Sequence, residues 1–259
     1  MVTLPLDTII QGDCLEVMQT FPDKSVDLIF ADPPFNVGKD YGAGVKGDSR
    51  IDYRDWCAGW ITECFRVLKD TGSFYHMTIP KHLEWKMPIM AKFGQFINLI
   101  IWRNVSATHN KRSFWGEYQP IMVYGKTDQW LFNTYAEIYD CGFRRWGGYS
   151  EGSEFKGQMK DRWDDIPFVY AGSITHKEAY LKTGTNEKEH PCQMPEGIAK
   201  RAILFSSNEN DLVLDPFLGS GTTAVAAKRL YRHWIGIELS EKYCELARKR
   251  VAQCQQPMF

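Results

Sequence analysis

Residues 213–224 read VLDPFLGSGTTA, and this stretch decides the expected fold. It opens with apolar residues typical of a buried strand, turns at Gly219 and Gly221, and continues as a helix. Glycine suits such a turn because a backbone without Cβ can approach a ligand closely and adopt positive φ. The next strand ends at Glu238, about twenty residues after the glycines, where a carboxylate can accept ribose hydroxyl hydrogens. The stretch therefore predicts a site for a cofactor with an adenosine group.

The glycine spacing leaves the identity of the cofactor open. Gly219, Gly221 and Ala224 also satisfy the dinucleotide fingerprint of nicotinamide-dependent oxidoreductases, and a turn of this kind can be purely structural. A second motif is needed to choose between these alternatives.

That second motif is Asp32-Pro33-Pro34-Phe35, which follows an apolar strand at residues 26–31. Ligands of open α/β sheets bind beyond the carboxyl ends of the strands, so the position suits chemistry. The Asp32 carboxylate and the Pro33 carbonyl can accept both hydrogens of an exocyclic base amine, which localises its lone pair for attack on a methyl sulfonium. Consecutive prolines restrict the backbone around these acceptors, and Phe35 offers a flat face for an extruded base. An ordinary strand-ending turn is the alternative interpretation.

Together the two motifs resemble those of the amino-group DNA methyltransferases of the β arrangement, in which D-P-P-[YF] precedes F-x-G-x-G. The resemblance covers residues 7–124 and 189–251. It implies transfer of a methyl group from S-adenosylmethionine to adenine N6 of a flipped-out DNA base, because Asp rather than Ser opens the tetrapeptide. Cytosine N4 is the alternative target. A nicotinamide-dependent oxidoreductase and an inactive DNA-binding module are the alternatives from other classes.

The resemblance also assigns site residues. It implies that Asp13 contacts the cofactor adenine, that Glu238 binds the ribose, and that residues 189–195 begin a helix beside the methionine group. Phe35 replaces the commoner Tyr, and Met194 stands where the family usually has Lys. The predicted catalytic residues are Asp32, Pro33, Pro34 and Phe35. The predicted cofactor-binding residues are Asp13, Cys14, Asp32, His190, Gln193, Phe217, Gly219, Ser220, Gly221, Thr222 and Glu238.

The expected fold is a doubly wound α/β domain with a seven-stranded, mostly parallel sheet of the Rossmann-like S-adenosylmethionine methyltransferase type. Periodicity predicts helices at 14–21, 53–69, 195–205, 222–230 and 241–251, with Gly72 as the stop signal of the second. Residues 1–129 form the catalytic half, 130–189 an inserted, loop-rich target-recognition lobe, and 190–259 the cofactor-binding half. The acidic residues Asp161, Asp164 and Asp165 in the lobe read as a solvated loop.

Composition limits the partners. The net charge is −1, so positive charge for DNA binding must be local. Two clusters can supply it. The first comprises Arg103, His109, Lys111 and Arg112, and the second comprises Arg144 and Arg145. No apolar run of membrane-spanning length and no secretory signal is visible, so we expect no membrane partner and a cytoplasmic location. The seven cysteines contain no C-x-x-C pair, so we expect reduced thiols and no metal site. A homodimer is an open alternative to the monomer.

Overall fold

Strands from both ends of the chain share one sheet. The computed structural model describes residues 3–38, 49–103, 116–133, 160–166 and 193–255. Eight strands in these ranges form the sheet. They are β1 (Thr8–Gln11), β2 (Val26–Ala31), β3 (Leu68–Met77), β4 (Gln95–Arg103), β5 (Tyr118–Gly125), β6 (Arg162–Trp163), β7 (Leu212–Asp215) and β8 (His233–Glu238). The helices are α1 (Cys14–Gln19), α2 (Tyr53–Val67), α3 (Leu83–Met90), α4 (Glu196–Ser206), α5 (Thr222–Arg229) and α6 (Glu241–Gln253), with a 3-10 turn at Pro80–His82.

The sheet order is β1-β8-β7-β2-β3-β5-β4-β6. Neighbouring strands are parallel except at β5, which is antiparallel to both β3 and β4. From β2 the chain winds through α2 to β3 in one direction, and from β7 it winds through α5 to β8 in the other. The boundary between β2 and β7 is therefore the topological switch point, where open α/β sheets bind their ligands.

Apolar clusters cover both faces of the sheet. On β2, Leu28 and Phe30 belong to one cluster while Ile29 and Ala31 belong to the other, and all four are fully buried. The first cluster includes side chains of α4, α5 and α6, and the second includes side chains of α1, α2 and α3. Because successive side chains of a strand point to opposite faces, a strand covered on both sides reads as the continuous apolar run seen at 26–31.

The expected doubly wound, mostly parallel α/β fold is confirmed, with eight strands where seven were predicted. The prediction that Gly72 marks the end of the second helix was wrong. Helix α2 ends at Val67 and β3 begins at once, so Gly72 lies inside the strand. There a Cβ would lie 2.7 Å from the backbone oxygen of Asp27, which explains why this strand position carries glycine. Helix α3, which lies between β3 and β4, was not predicted.

The eighth strand lies within the segment predicted as a loop-rich lobe, of which the structure describes 130–133 and 160–166. Strand β6 pairs in parallel with β4. The acidic residues of the lobe were predicted to lie in a solvated loop, and this prediction was wrong for Asp165. Its two carboxylate oxygens pair with the buried guanidinium of Arg201 on α4. That guanidinium also lies 4.9 Å from the ring centroid of Trp163. These contacts fix the edge strand to the core.

In the described ranges, no helix combines the length and the hydropathy that crossing a membrane requires.

Candidate active site

The two motifs lie at the same edge of the sheet. Strands β2 and β7 are parallel neighbours, with Leu28 opposite Val213 and Ile29 opposite Leu214. Adjacent strands are about 4.8 Å apart, so Asp32 and the segment after Asp215 leave the sheet side by side. The structure thus places Asp32 and the start of the segment that leads into the glycine turn at the same edge of the sheet, at the switch point.

The glycine turn has the backbone that its sequence predicts. Gly219 and Gly221 have φ values of +52° and +86°, and Gly221 precedes the first residue of α5. Glu238 holds the turn from the neighbouring strand. Its two carboxylate oxygens accept the backbone N–H groups of Gly219 and Ser240, each at 2.8 Å. Burial raises the pKa of Glu238. Because each carboxylate oxygen has a second lone pair, Glu238 can still accept hydrogen bonds from a bound ligand.

Asp13 lies next to Glu238 in space. Gln11 and Glu238 face each other across β1 and β8, and the N–H of Gly12 donates to the backbone oxygen of Glu238 at 3.1 Å. The Asp13 side chain caps α1 by accepting the N–H of Leu15 at 2.8 Å. Cys14 begins that helix and is buried, which raises the pKa of its thiol to about 12. Asp13 therefore has a capping role in this fold whether or not it also contacts a ligand.

Asp215 is a site residue that sequence reasoning missed. It ends β7, is 5% exposed, and accepts the N–H of Phe217 at 2.9 Å. Burial raises the pKa of Asp215 to about 7, so a cationic ligand beside it would favour its charged form. The signal was present, because Asp215-Pro216 repeats the strand-ending Asp-Pro pattern of Asp32-Pro33.

Contacts from outside the motif hold the Asp32 to Phe35 turn. The hydroxyl of Tyr53 on α2 donates to the Pro34 carbonyl at 2.7 Å. Pro33 is buried, and Phe35 is half-buried against the first apolar cluster. The Tyr53 hydroxyl therefore fixes the orientation of the Pro34 peptide within this turn.

Two aromatic side chains of α2 cover the start of the glycine turn. Trp56 and Trp60 place their ring centroids 5.7 and 5.0 Å from that of Phe217, in edge-on geometry. The periodicity of residues 53–69 predicted a helix but not what this face of it contacts. The structure shows that this face packs against the turn after β7.

The segment before α4 also reaches the site. Gln193 is 4% exposed, and the backbone oxygen of Met194 lies 3.4 Å from the Thr222 hydroxyl. His190 lies outside the described residues. Of the predicted DNA contacts, Arg103 is exposed at the end of β4. His109, Lys111, Arg112, Arg144 and Arg145 lie outside the described residues.

A second missed residue is Arg250 on α6. Its guanidinium is 5% exposed and donates to the backbone oxygen of Ser220 at 2.6 Å, to the Ser220 hydroxyl at 2.7 Å and to the Thr222 hydroxyl at 3.1 Å. Arg250 thus fixes the residues on either side of Gly221. Its place in the C-terminal helix gave no sign of this contact.

We expect Arg250→Met to lower the free energy of unfolding by about 2 kcal/mol, because it leaves buried oxygens of the turn without their donor. Urea unfolding measures the change. Arg248→Met on the exposed side of the same helix is the control and should change stability by less than about 0.5 kcal/mol. Equal effects of the two variants would show that the hydrogen bonds of Arg250 do not stabilise the turn.

Across the ranges that the structure describes, no group of three or more His, Cys, Asp and Glu is arranged to hold a metal ion.

Comparison with known proteins gives a family match and several relatives. The family model described as DNA methylase, of the N6 and N4 type, matches residues 26–249. The chain is 35% identical to the type II methyltransferase M.BamHI of Bacillus amyloliquefaciens over 95% of its own length, and it spans 57% of that relative. It is 32% identical to the DNA adenine methyltransferase YhdJ of Escherichia coli, with 94% of this chain and 82% of the relative covered.

Solved structures share the fold. The Thermus thermophilus protein TTHA0409, solved with bound S-adenosyl-L-methionine, matches with a TM-score of 0.66 at 23% identity, covering 95% of this chain and 93% of that one. The cytosine-N4-specific PvuII DNA methyltransferase matches with a TM-score of 0.66 at 20% identity, covering 94% of this chain and 85% of that one. At these identities the likeness concerns the fold alone.

Proposed function

Because the chain belongs to the DNA methylase family of the N6 and N4 type, we propose that it methylates an exocyclic amino group in DNA, with adenine N6 as the target. The observation that carries this proposal is the juxtaposition of Asp32 and the glycine turn at the ends of two adjacent parallel strands. Direct methyl transfer requires the group that binds the amine and the cofactor site to be neighbours.

The turn formed by Asp32 to Phe35, here called the acceptor turn, prepares the amine for attack. An exocyclic amino group is a weak nucleophile because its lone pair is delocalised into the ring. Asp32 and the Pro33 carbonyl accept its two hydrogens and so favour a localised lone pair, while the negative charge of Asp32 stabilises the positive charge that develops on nitrogen. Phe35 stacks on the base, which must leave the duplex because its amino group is otherwise out of reach.

The residues around the glycine turn fit S-adenosylmethionine. When bound, this cofactor supplies an electrophilic methyl group on a sulfonium. Glu238 has lone pairs left for ribose hydroxyls, and Asp13 beside it is the candidate for the adenine. The buried Asp215 supplies a carboxylate whose charged form a cation would favour. Three carboxylates around one turn suit a ligand that carries hydroxyls and positive charge better than they suit a pyrophosphate, which argues against a nicotinamide dinucleotide.

Two observations support adenine over cytosine. Asp rather than Ser opens the tetrapeptide at position 32. In addition, YhdJ, which covers most of this chain, is named a DNA adenine methyltransferase. PvuII methyltransferase acts on cytosine N4 and has the same fold, so the fold supports either base.

The test is to incubate the protein with tritiated S-adenosylmethionine and DNA, digest the DNA to nucleosides and identify the labelled product by mass spectrometry. We expect N6-methyladenine. Labelled N4-methylcytosine without N6-methyladenine would overturn the choice of base but keep the class of reaction. Saturable cofactor binding with no labelled nucleoside on any DNA would overturn the proposal and favour an inactive DNA-binding module.

A further inference from the structure

A lysine is fully buried beneath the acceptor turn. Lys86 lies on α3 and its side chain is 0% exposed. A buried ammonium is costly unless nearby groups compensate for the lost water. Here the Nζ atom lies 3.5 Å from the Tyr53 hydroxyl oxygen, 5.6 Å from the Tyr53 ring centroid and 5.4 Å from that of Trp85. A lysine kept at such a cost invites a functional explanation.

The contacts of Lys86 lead to the acceptor turn. The Tyr53 hydroxyl that faces Nζ donates to the Pro34 carbonyl at 2.7 Å. An ammonium only donates, so the tyrosine oxygen accepts from Lys86 and its own hydrogen is directed to Pro34. The hydrogen bonds from Lys86 through Tyr53 to Pro34 therefore all donate in one direction, and each donor polarises the next.

The charge of Lys86 also acts on the acceptor itself. Burial lowers the pKa of Lys86 to about 8, and the Asp32 carboxylate opposes that shift. Burial raises the pKa of the neighbouring Cys57 thiol, which is therefore neutral in this pH range. The same interaction acts on Asp32, because coupling between two charges is reciprocal. Among the residues that the structure describes, the titratable groups that interact with Lys86 include Asp32, Tyr53, Cys57 and His76. Arg54 and His82 face the Trp85 ring that Lys86 also contacts. Arg50 acts on Cys57, and the Tyr124 hydroxyl of β5 donates to the Met87 carbonyl on the same helix.

We propose that Lys86 and Tyr53 are positioning residues of the methyl transfer: Tyr53 fixes the Pro34 carbonyl, and Lys86 orients Tyr53 and places a positive charge near Asp32. This inference rests on the proposed function. It assigns Lys86 a role that is exerted through Tyr53.

The first test separates kcat from binding and stability. Lys86→Met should lower kcat about tenfold to a hundredfold, and Tyr53→Phe about fivefold, with the Kd for S-adenosylmethionine unchanged. The double variant should be no slower than Lys86→Met by more than about twofold, because both residues act through one chain. Lys86→Met should keep or raise the melting temperature, since a buried charge is replaced by an apolar side chain of similar length. A merely structural lysine would instead lower stability and leave kcat per folded molecule unchanged, and that result overturns the inference.

The second test uses the pH profile. The wild-type kcat should fall above about pH 8, as Lys86 loses its proton and its charge. In Lys86→Met this alkaline limb should vanish. Lys92→Met, at an exposed lysine just after the same helix, should leave the profile as in the wild type. An unchanged alkaline limb in Lys86→Met contradicts the inference.

A third measurement does not depend on turnover, so it separates this inference from the proposed function. Protein with ¹³C-labelled lysine, titrated by NMR, should show one lysine with a pKa near 8, and Lys86→Met should remove that signal. Asp32→Asn should lower the pKa of that lysine further, because it removes a negative charge that favours the ammonium. A Lys86 pKa that Asp32→Asn does not change would overturn the coupling even in an active enzyme. The expected shift in a protein without methyltransferase activity would keep the coupling and overturn only the proposed function.

Discussion

Asp32→Asn is expected to lower the rate of methyl transfer about a hundredfold to a thousandfold while leaving the affinity for S-adenosylmethionine nearly unchanged. Asparagine keeps the shape of the side chain and one acceptor oxygen, but it lacks the negative charge that stabilises the positive charge developing on the amine. The effect therefore concerns the transition state. Single-turnover transfer of tritiated methyl groups to DNA measures the rate, and isothermal titration calorimetry measures cofactor binding.

Asp70→Asn is the matched control for this prediction. Asp70 lies near the amino end of β3, opposite the edge that carries the site, where it forms an exposed ion pair with Lys24. Its loss removes one negative charge from the protein but none from the acceptor turn, so the rate should stay within about twofold of the wild type. An Asp32→Asn variant that is as fast as Asp70→Asn would show that Asp32 is not the acceptor.

Both motifs were readable from the sequence because each depends on local backbone chemistry. A glycine turn after an apolar strand and a double proline after another dictate local conformations whatever the rest of the chain does. The structure bears out the turn, with positive φ at Gly219 and Gly221, and places Asp32 at the end of a doubly buried strand. The parallel α/β fold followed from the alternation of strands and helices. The roles of the individual site residues stay predictions.

The residues that support the site were not readable, because their contacts depend on the order of the strands. Tyr53 reaches Pro34, and Lys86 reaches Tyr53, because α2 and α3 pack against each other in the folded protein. Lys86 looks like a surface residue in sequence, since lysine is rarely fully buried. Arg250 lies about thirty residues from the turn that it clamps, and helical periodicity cannot tell a buried arginine from a solvated one. Local patterns therefore predict acceptors and turns, whereas the groups that hold them depend on tertiary packing.

The glycine turn allows a second prediction of large effect, made at Gly221. With φ at +86°, an alanine there carries a left-handed penalty of about 1 to 2 kcal/mol. Its Cβ would also lie 2.9 Å from the Cβ and 3.1 Å from the Cα of Ala247 on α6, and neither atom can move by a change of rotamer. Such crowding costs about 1 to 3 kcal/mol more. We expect Gly221→Ala to lower the free energy of unfolding by about 3 kcal/mol and to weaken cofactor binding at least about tenfold, because the turn must shift.

Gly59→Ala supplies the control of opposite sign. Gly59 lies within α2, where a new Cβ would meet the Leu15 methyl groups at 3.5 and 3.6 Å, an ordinary van der Waals contact. Alanine is the better helix former, so this variant should gain about 0.5 to 1 kcal/mol and bind the cofactor as the wild type does. Urea unfolding and calorimetric titration of both variants make the comparison. If Gly221→Ala binds S-adenosylmethionine with wild-type affinity, the left-handed turn is not what shapes the cofactor site. The proposed site would then have to depend on Glu238, Asp13 and Asp215 alone.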